Sequence, residues 1–117
     1  YIYSSREDHI VPWRSAYQSR GILGGETTFV MGASGHIAGV VNPPATGKRS
    51  HWRNESPAAA AEDWLAGATE HKGSWWPHWM EWLKRFAGEE REARKTLGNK
   101  RHKPIEAAPG RYVKEKA

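Results

Sequence analysis

Glu26-Thr27-Thr28-Phe29-Val30-Met31-Gly32-Ala33-Ser34-Gly35-His36 is the stretch on which the fold turns. Its first six residues are β-branched and apolar, the composition of a buried strand. Two glycines then allow a tight turn, and glycine is expected to supply any positive φ needed there. His36 follows on a loop, in Gly35-His36-Ile37-Ala38-Gly39-Val40-Val41-Asn42-Pro43-Pro44. Working outward toward the N-terminus, the chain offers a second unit of the same design. Tyr1-Ile2-Tyr3-Ser4-Ser5 reads as the end of a strand, and an acid, Asp8, follows it in Arg6-Glu7-Asp8-His9-Ile10-Val11-Pro12-Trp13. Between the two, residues 13–20 place Trp13, Ala16 and Tyr17 on one face of a short helix. Gly21 is positioned to stop that helix.

Asp8 and His36 are 28 positions apart, enough for one helix and one strand of an α/β repeat. An acid after one strand and a histidine after the next is how α/β-hydrolases present the last two members of their triad. Both residues then hang on loops at the carboxyl edge of a sheet, where ligands bind in open α/β folds. In a triad the histidine takes the nucleophile's proton, while the acid holds its tautomer and stabilises the imidazolium. The competing reading is an exposed turn aspartate and a loop histidine bonded to backbone. The expected fold class is therefore α/β: the C-terminal part of an α/β-hydrolase fold, comprising its last strands, triad loops and C-terminal helices, and incomplete as a domain. Two strands cannot flank a parallel strand on both sides.

Composition limits the alternatives. The chain has 117 residues with 38% hydrophobic content and a mean hydropathy of −0.83, which leaves material for a thin core only. There is no cysteine, so a disulfide framework, a zinc-thiolate site and a cysteine nucleophile are excluded within these residues. No apolar run approaches the roughly 18 residues of a membrane span. The net charge of +5 is uneven: residues 94–117 hold 8 of the 18 Lys and Arg but 2 of the 13 Asp and Glu. Residues 1–93 are expected to form the catalytic-domain portion, and residues 94–117 a basic, largely irregular tail. Such a tail is either a solvated terminus or a ligand for anionic surfaces or nucleic acid.

Residues 37–55 show no periodicity, and Lys48-Arg49-Ser50-His51-Trp52 reads as a basic loop with an aromatic. Charge complementarity to a phosphate is conceivable there, but a solvated loop is the simpler reading. Ser56-Pro57 suits a helix start, with Ser56 as N-cap, Pro57 in the first turn and Ala58 to Ala66 continuing it. Trp64 and Leu65 would be its buried contacts, and residues 70–73 a linker. A second helix is predicted from about Pro77 to Ala87. Trp79, Trp82, Leu83 and Phe86 form its apolar stripe, and residues 89–95 could extend it as a frayed end.

Several decoys fall away on chemistry. Ser34 lacks the second glycine of a G-x-S-x-G elbow, because His36 occupies it. Gly47-Lys48 lacks the leading glycine of a phosphate loop, where Asn42 stands. His9, His36 and His51 lack metal-ligand spacing. Glu7 and His9 neighbour Asp8, and a side chain adjacent to a loop aspartate generally points elsewhere.

The quoted words around Asp8 and His36, together with Gly73-Ser74-Trp75-Trp76-Pro77, strongly resemble the C-terminal end of polyhydroxyalkanoate synthases. These are bacterial polyester polymerases, and the likeness is greatest to the type acting on short-chain substrates. Pro104-Ile105-Glu106-Ala107-Ala108-Pro109-Gly110-Arg111-Tyr112-Val113-Lys114 also looks like that family's C-terminus, so the resemblance covers essentially the whole chain. It implies an α/β-hydrolase variant with a Cys-Asp-His triad, which polymerises 3-hydroxyacyl groups from coenzyme A thioesters and releases coenzyme A. It places the catalytic acid on Asp8 and the catalytic histidine on His36. The nucleophilic cysteine would lie upstream, so these residues alone should be inactive. It implies no cofactor beyond the coenzyme A thioester substrate. The implied partners are the growing polyester, a second subunit in a homodimer and the surface of cytoplasmic polymer granules, with no nucleic acid and no transmembrane segment. Asp8 has two possible jobs, orienting His36 or acting as base toward the 3-hydroxyl. An esterase or depolymerase with an upstream serine is the alternative activity. A non-catalytic module with a surface-binding tail is the third reading.

Overall fold

A computed structural model describes residues 1–56 and 58–116. Four short strands form one mixed sheet in the order β1 (Ile2–Ser5), β2 (Phe29–Gly32), β3 (Ser50–Arg53), β4 (Thr69–Lys72). β1 and β2 run parallel, with Ile2 opposite Phe29 and Ser5 opposite Gly32. β3 and β4 complete an antiparallel ladder, with Met31 opposite Trp52 and His51 opposite His71. The parallel pair needs a crossover, supplied by α1 (Trp13–Gln18) and a 3-10 turn over Ser19–Gly21. α2 (Ala61–Ala66) joins β3 to β4, and α3 (Trp76–Ala87) follows β4. The chain is thus mixed α/β, with a small sheet and few helices.

Alternation along the strands sorts side chains onto two faces. On one face Phe29 and Met31 meet Trp13 and Tyr17 of α1 and Ala61 and Trp64 of α2, and these six form the buried core. Trp64 is the keystone: its ring meets Phe29 edge-on with centroids 4.8 Å apart, and it is 1% exposed. Polar ends of the aromatics are satisfied locally. Tyr17 donates its hydroxyl to the Ala58 carbonyl at 2.7 Å, and the Trp64 indole donates to the Asn54 carbonyl at 3.3 Å.

The opposite face carries Tyr1 and Tyr3. Trp75 stacks on Tyr3, with centroids 4.2 Å apart, and Trp82 of α3 meets Tyr1 edge-on at 5.4 Å. The predicted stripe on α3 is therefore only partly used. Trp79, Trp82 and Leu83 are half-buried and Phe86 is 66% exposed. The helix shares with the sheet a cavity of about 690 Å³, lined among others by Glu26, Arg53, His71, His78 and Arg85.

Several local expectations are corrected. The basic loop around residues 48–52 contains β3, and the linker at 70–73 is mostly β4. The helix expected from Ser56 begins at Ala61. Asn54 Oδ1 accepts the Ser56 N–H at 2.9 Å, Tyr17 holds the Ala58 backbone, and Ala60 is extended. Pro57, expected in its first turn, lies outside the described residues. α3 ends at Ala87, and Gly88 has φ of 71°, so residues 89–95 do not prolong it. Beyond Gly88 the one regular element among the described residues is a 3-10 turn at Tyr112–Lys114.

Candidate acid–base site

Both strands of the parallel pair end in loops at the same edge, and backbone bonds join those loops. Arg6 N–H donates to the Gly32 carbonyl at 2.7 Å, and Glu7 N–H donates to the Ser34 carbonyl at 3.1 Å. Ser34 holds the turn with φ of 77°. Positive φ at a non-glycine residue is costly and concentrates at functional turns. The expectation that a glycine would supply this conformation fails: Ser34 takes it, and Gly32 and Gly35 do not. Gly32 is needed for another reason, because a Cβ there would collide with the Tyr3 ring.

The two loops bring Asp8 and His36 together. His36 Nδ1 lies 2.8 Å from Asp8 Oδ2. The other carboxylate oxygen, Oδ1, accepts the backbone N–H groups of Ile10 and Val11, each at 2.9 Å. The Asp8 side chain is 8% exposed and that of His36 is 46% exposed. Asp8 is held down to a pKa of about 2, first by the Val11 N–H, then by the His36 hydrogen bond, the Ile10 N–H and the charge of His36, with desolvation opposing. An ionised carboxylate accepts only, so Nδ1 of His36 carries the proton and donates. Nε2 is then the basic lone pair, and it forms no hydrogen bond among the described residues. A partly exposed imidazole, oriented by a carboxylate and free at Nε2, is equipped to take a proton from a nucleophile brought to it.

The neighbouring decoys are not part of this pair. His9 is exposed beside Asp8, whose carboxylate faces His36 instead, and Glu7 is exposed as well. His51 lies on β3, 5% exposed, with Nδ1 donating to the Gly73 carbonyl at 3.2 Å. Burial pushes its pKa down. Among the described residues no three His, Cys, Asp or Glu side chains converge as a metal-ligand set. Among the described residues no helix is long and apolar enough to cross a membrane.

Sequence reasoning passed over the support beneath His36. The Trp75 indole donates to the Gly39 carbonyl at 3.3 Å, and the Trp76 indole donates to the Val40 carbonyl at 2.9 Å. The word Gly73-Ser74-Trp75-Trp76-Pro77 was visible, but no spacing rule links it to a loop more than thirty residues earlier.

Over all 117 residues the chain is 60% identical to the poly(3-hydroxyalkanoate) polymerase subunit PhaC of Cupriavidus necator. It is 44% identical over 117 residues to the protein of the same name from Rhizobium meliloti. It is also 44% identical over 115 residues to the poly(3-hydroxyalkanoate) polymerase of Methylorubrum extorquens. Over essentially its whole length the chain is thus similar to a part of several poly(3-hydroxyalkanoate) polymerases. It spans about a fifth of the length of these relatives, 20% of the first and 19% of the other two. No family model matches the chain.

Proposed function

We propose that this chain supplies the acid and the base of the acyl-transfer site of a polyhydroxyalkanoate polymerase, in the C-terminal part of an α/β-hydrolase fold. The carrying observation is the Asp8–His36 hydrogen bond of 2.8 Å, made by loops that follow two adjacent parallel strands. The similarity to proteins named as poly(3-hydroxyalkanoate) polymerases supports the reaction class.

The nucleophile is a cysteine upstream of this chain, which itself has none. Nε2 of His36 removes the thiol proton, which is needed because a free thiol of pKa about 8.5 is mostly protonated at neutral pH. The thiolate attacks the thioester carbonyl of a 3-hydroxyacyl-coenzyme A. The carbon–sulfur bond to coenzyme A breaks, and the leaving thiolate takes the proton from His36. A 3-hydroxyl then attacks the acyl-enzyme and gives its proton to His36. An ester bond forms, and the enzyme sulfur departs. The substrate is of the short-chain, 3-hydroxybutyryl type, with no further cofactor.

Asp8 orients His36 rather than serving as base toward the hydroxyl. Oδ1 is occupied by two backbone donors and Oδ2 by His36, and a carboxylate held at a pKa of about 2 is a weak base. As parts of the same reading, the intact enzyme is a homodimer working at the surface of polymer granules in the cytoplasm.

In the intact polymerase, His36→Ala should lower coenzyme A release by at least about 100-fold with folding retained, the usual scale of a lost general base. His9→Ala should cost far less. Equal losses, or a greater loss for His9→Ala, would overturn the assignment.

A further inference from the structure

We propose that Trp75 and Trp76 are positioning residues for His36, a role that rests on the catalytic reading above. His36 is half-exposed, and its one side-chain hydrogen bond among the described residues is to Asp8. The place of its imidazole therefore depends on the backbone that carries it. That backbone is a tight helical turn, closed by Gly39 N–H to the Gly35 carbonyl at 2.9 Å and Val41 N–H to the Ile37 carbonyl at 2.8 Å. A turn of this length has no stability of its own.

Two indoles hold its far end. Trp75 donates to the Gly39 carbonyl and Trp76 to the Val40 carbonyl, so consecutive carbonyls of the turn are gripped by consecutive side chains. Trp75 is itself fixed. It is 9% exposed and stacks on Tyr3, with ring centroids 4.2 Å apart and an interplanar angle of 24°. Trp76 is set by its backbone N–H, which donates to Ser74 Oγ at 3.1 Å.

The same turn is pressed onto β1 from the other side. Ser5 Oγ lies against Gly39, where a Cβ would collide with it and would stand 2.9 Å from the carbonyl oxygens of Ala33 and Gly35. Tyr3 hydroxyl is 3.3 Å from Ser5 Oγ. Tyr3 and Ser5 belong to β1, which leads into Asp8, so the clamp joins the acid's strand to the histidine's loop through Trp75. Loosening it changes the separation of Asp8 and His36 without touching substrate. Misplacement of a catalytic group by about 1 Å can cost about 100-fold in rate.

The test uses the intact polymerase and Trp76→Phe, which keeps a ring and removes the N–H, with Trp75→Phe as a second variant. Coenzyme A release should show kcat reduced roughly tenfold with KM unchanged, on the scale expected for partial misplacement. Combined with Asp8→Asn, the losses should be less than additive, as for residues acting through one pair. An unchanged kcat, a rise in KM alone, or a loss fully additive with that of Asp8→Asn would overturn the proposal. His36→Ala in the same assay separates the two ideas. If it retains turnover, the catalytic reading fails; if it is inactive while both tryptophan variants are normal, only the positioning role fails.

Discussion

Asp8 satisfies three donors with two oxygens, and this makes it a fixed anion rather than a proton carrier. Its carboxyl is held at a pKa of about 2, below the ordinary value of 3.8. A depressed folded-state pKa stabilises the fold at pH above the unfolded value, and that stabilisation is lost as pH falls toward the folded value. The window here is from about pH 4 down to about pH 2. Between those limits the urea midpoint of the chain should fall more steeply with acidification than that of Asp8→Asn. Parallel slopes would show that the carboxylate is not held as described. The positions of Asp8 and His36 were legible in the sequence because each stands on a loop a few residues past a recognisable strand. The positive φ at Ser34 was not, since a serine flanked by glycines gives no local reason to take the strained position.

At the scale of elements, the helices are short and depend on what they cover. α1 and α2 have six residues each and no side-chain N-cap, so little of their stability is intrinsic. Trp64 supplies much of the contact that holds them on the sheet. Trp64→Ala should destabilise the chain by about 3–5 kcal/mol, the usual range for a buried large aromatic. Chemical denaturation would measure it, and a loss below about 1 kcal/mol would mean that α2 is not anchored this way. β1, β2, α1 and α3 were readable from periodicity and composition. β3 and β4 were not. Ser50-His51-Trp52-Arg53 and Thr69-Glu70-His71-Lys72 are polar, and they become strands because β2 offers β3 a partner and β3 in turn offers one to β4.

The radius of gyration is 18.8 Å, against about 13 Å for a compact domain of this length. Residues 88–116 account for part of the difference, being exposed almost throughout. β1 is an edge strand in which the free side meets no other strand among the described residues, although parallel strands are normally covered on both sides. Under the proposed function that edge receives the rest of the sheet, and the nucleophile arrives with it. The 117-residue chain alone should therefore release no coenzyme A from 3-hydroxybutyryl-coenzyme A above the buffer rate. Turnover by the isolated chain would show that no cysteine from elsewhere is required, since none is present.

The sequence by itself determined the α/β class and placed Asp8 and His36 on loops that follow two strands. These are written in short words whose meaning is local: a β-branched run, a glycine turn, an acid or a histidine just beyond. Tertiary structure alone decided the rest. It joined Asp8 to His36, chose Nε2 as the free nitrogen, recruited polar segments as β3 and β4, and set Trp75 and Trp76 beneath the histidine loop. Each of these depends on hydrogen bonds between residues far apart in the chain. Such bonds have geometry and no sequence period, so no pattern along the chain announces them.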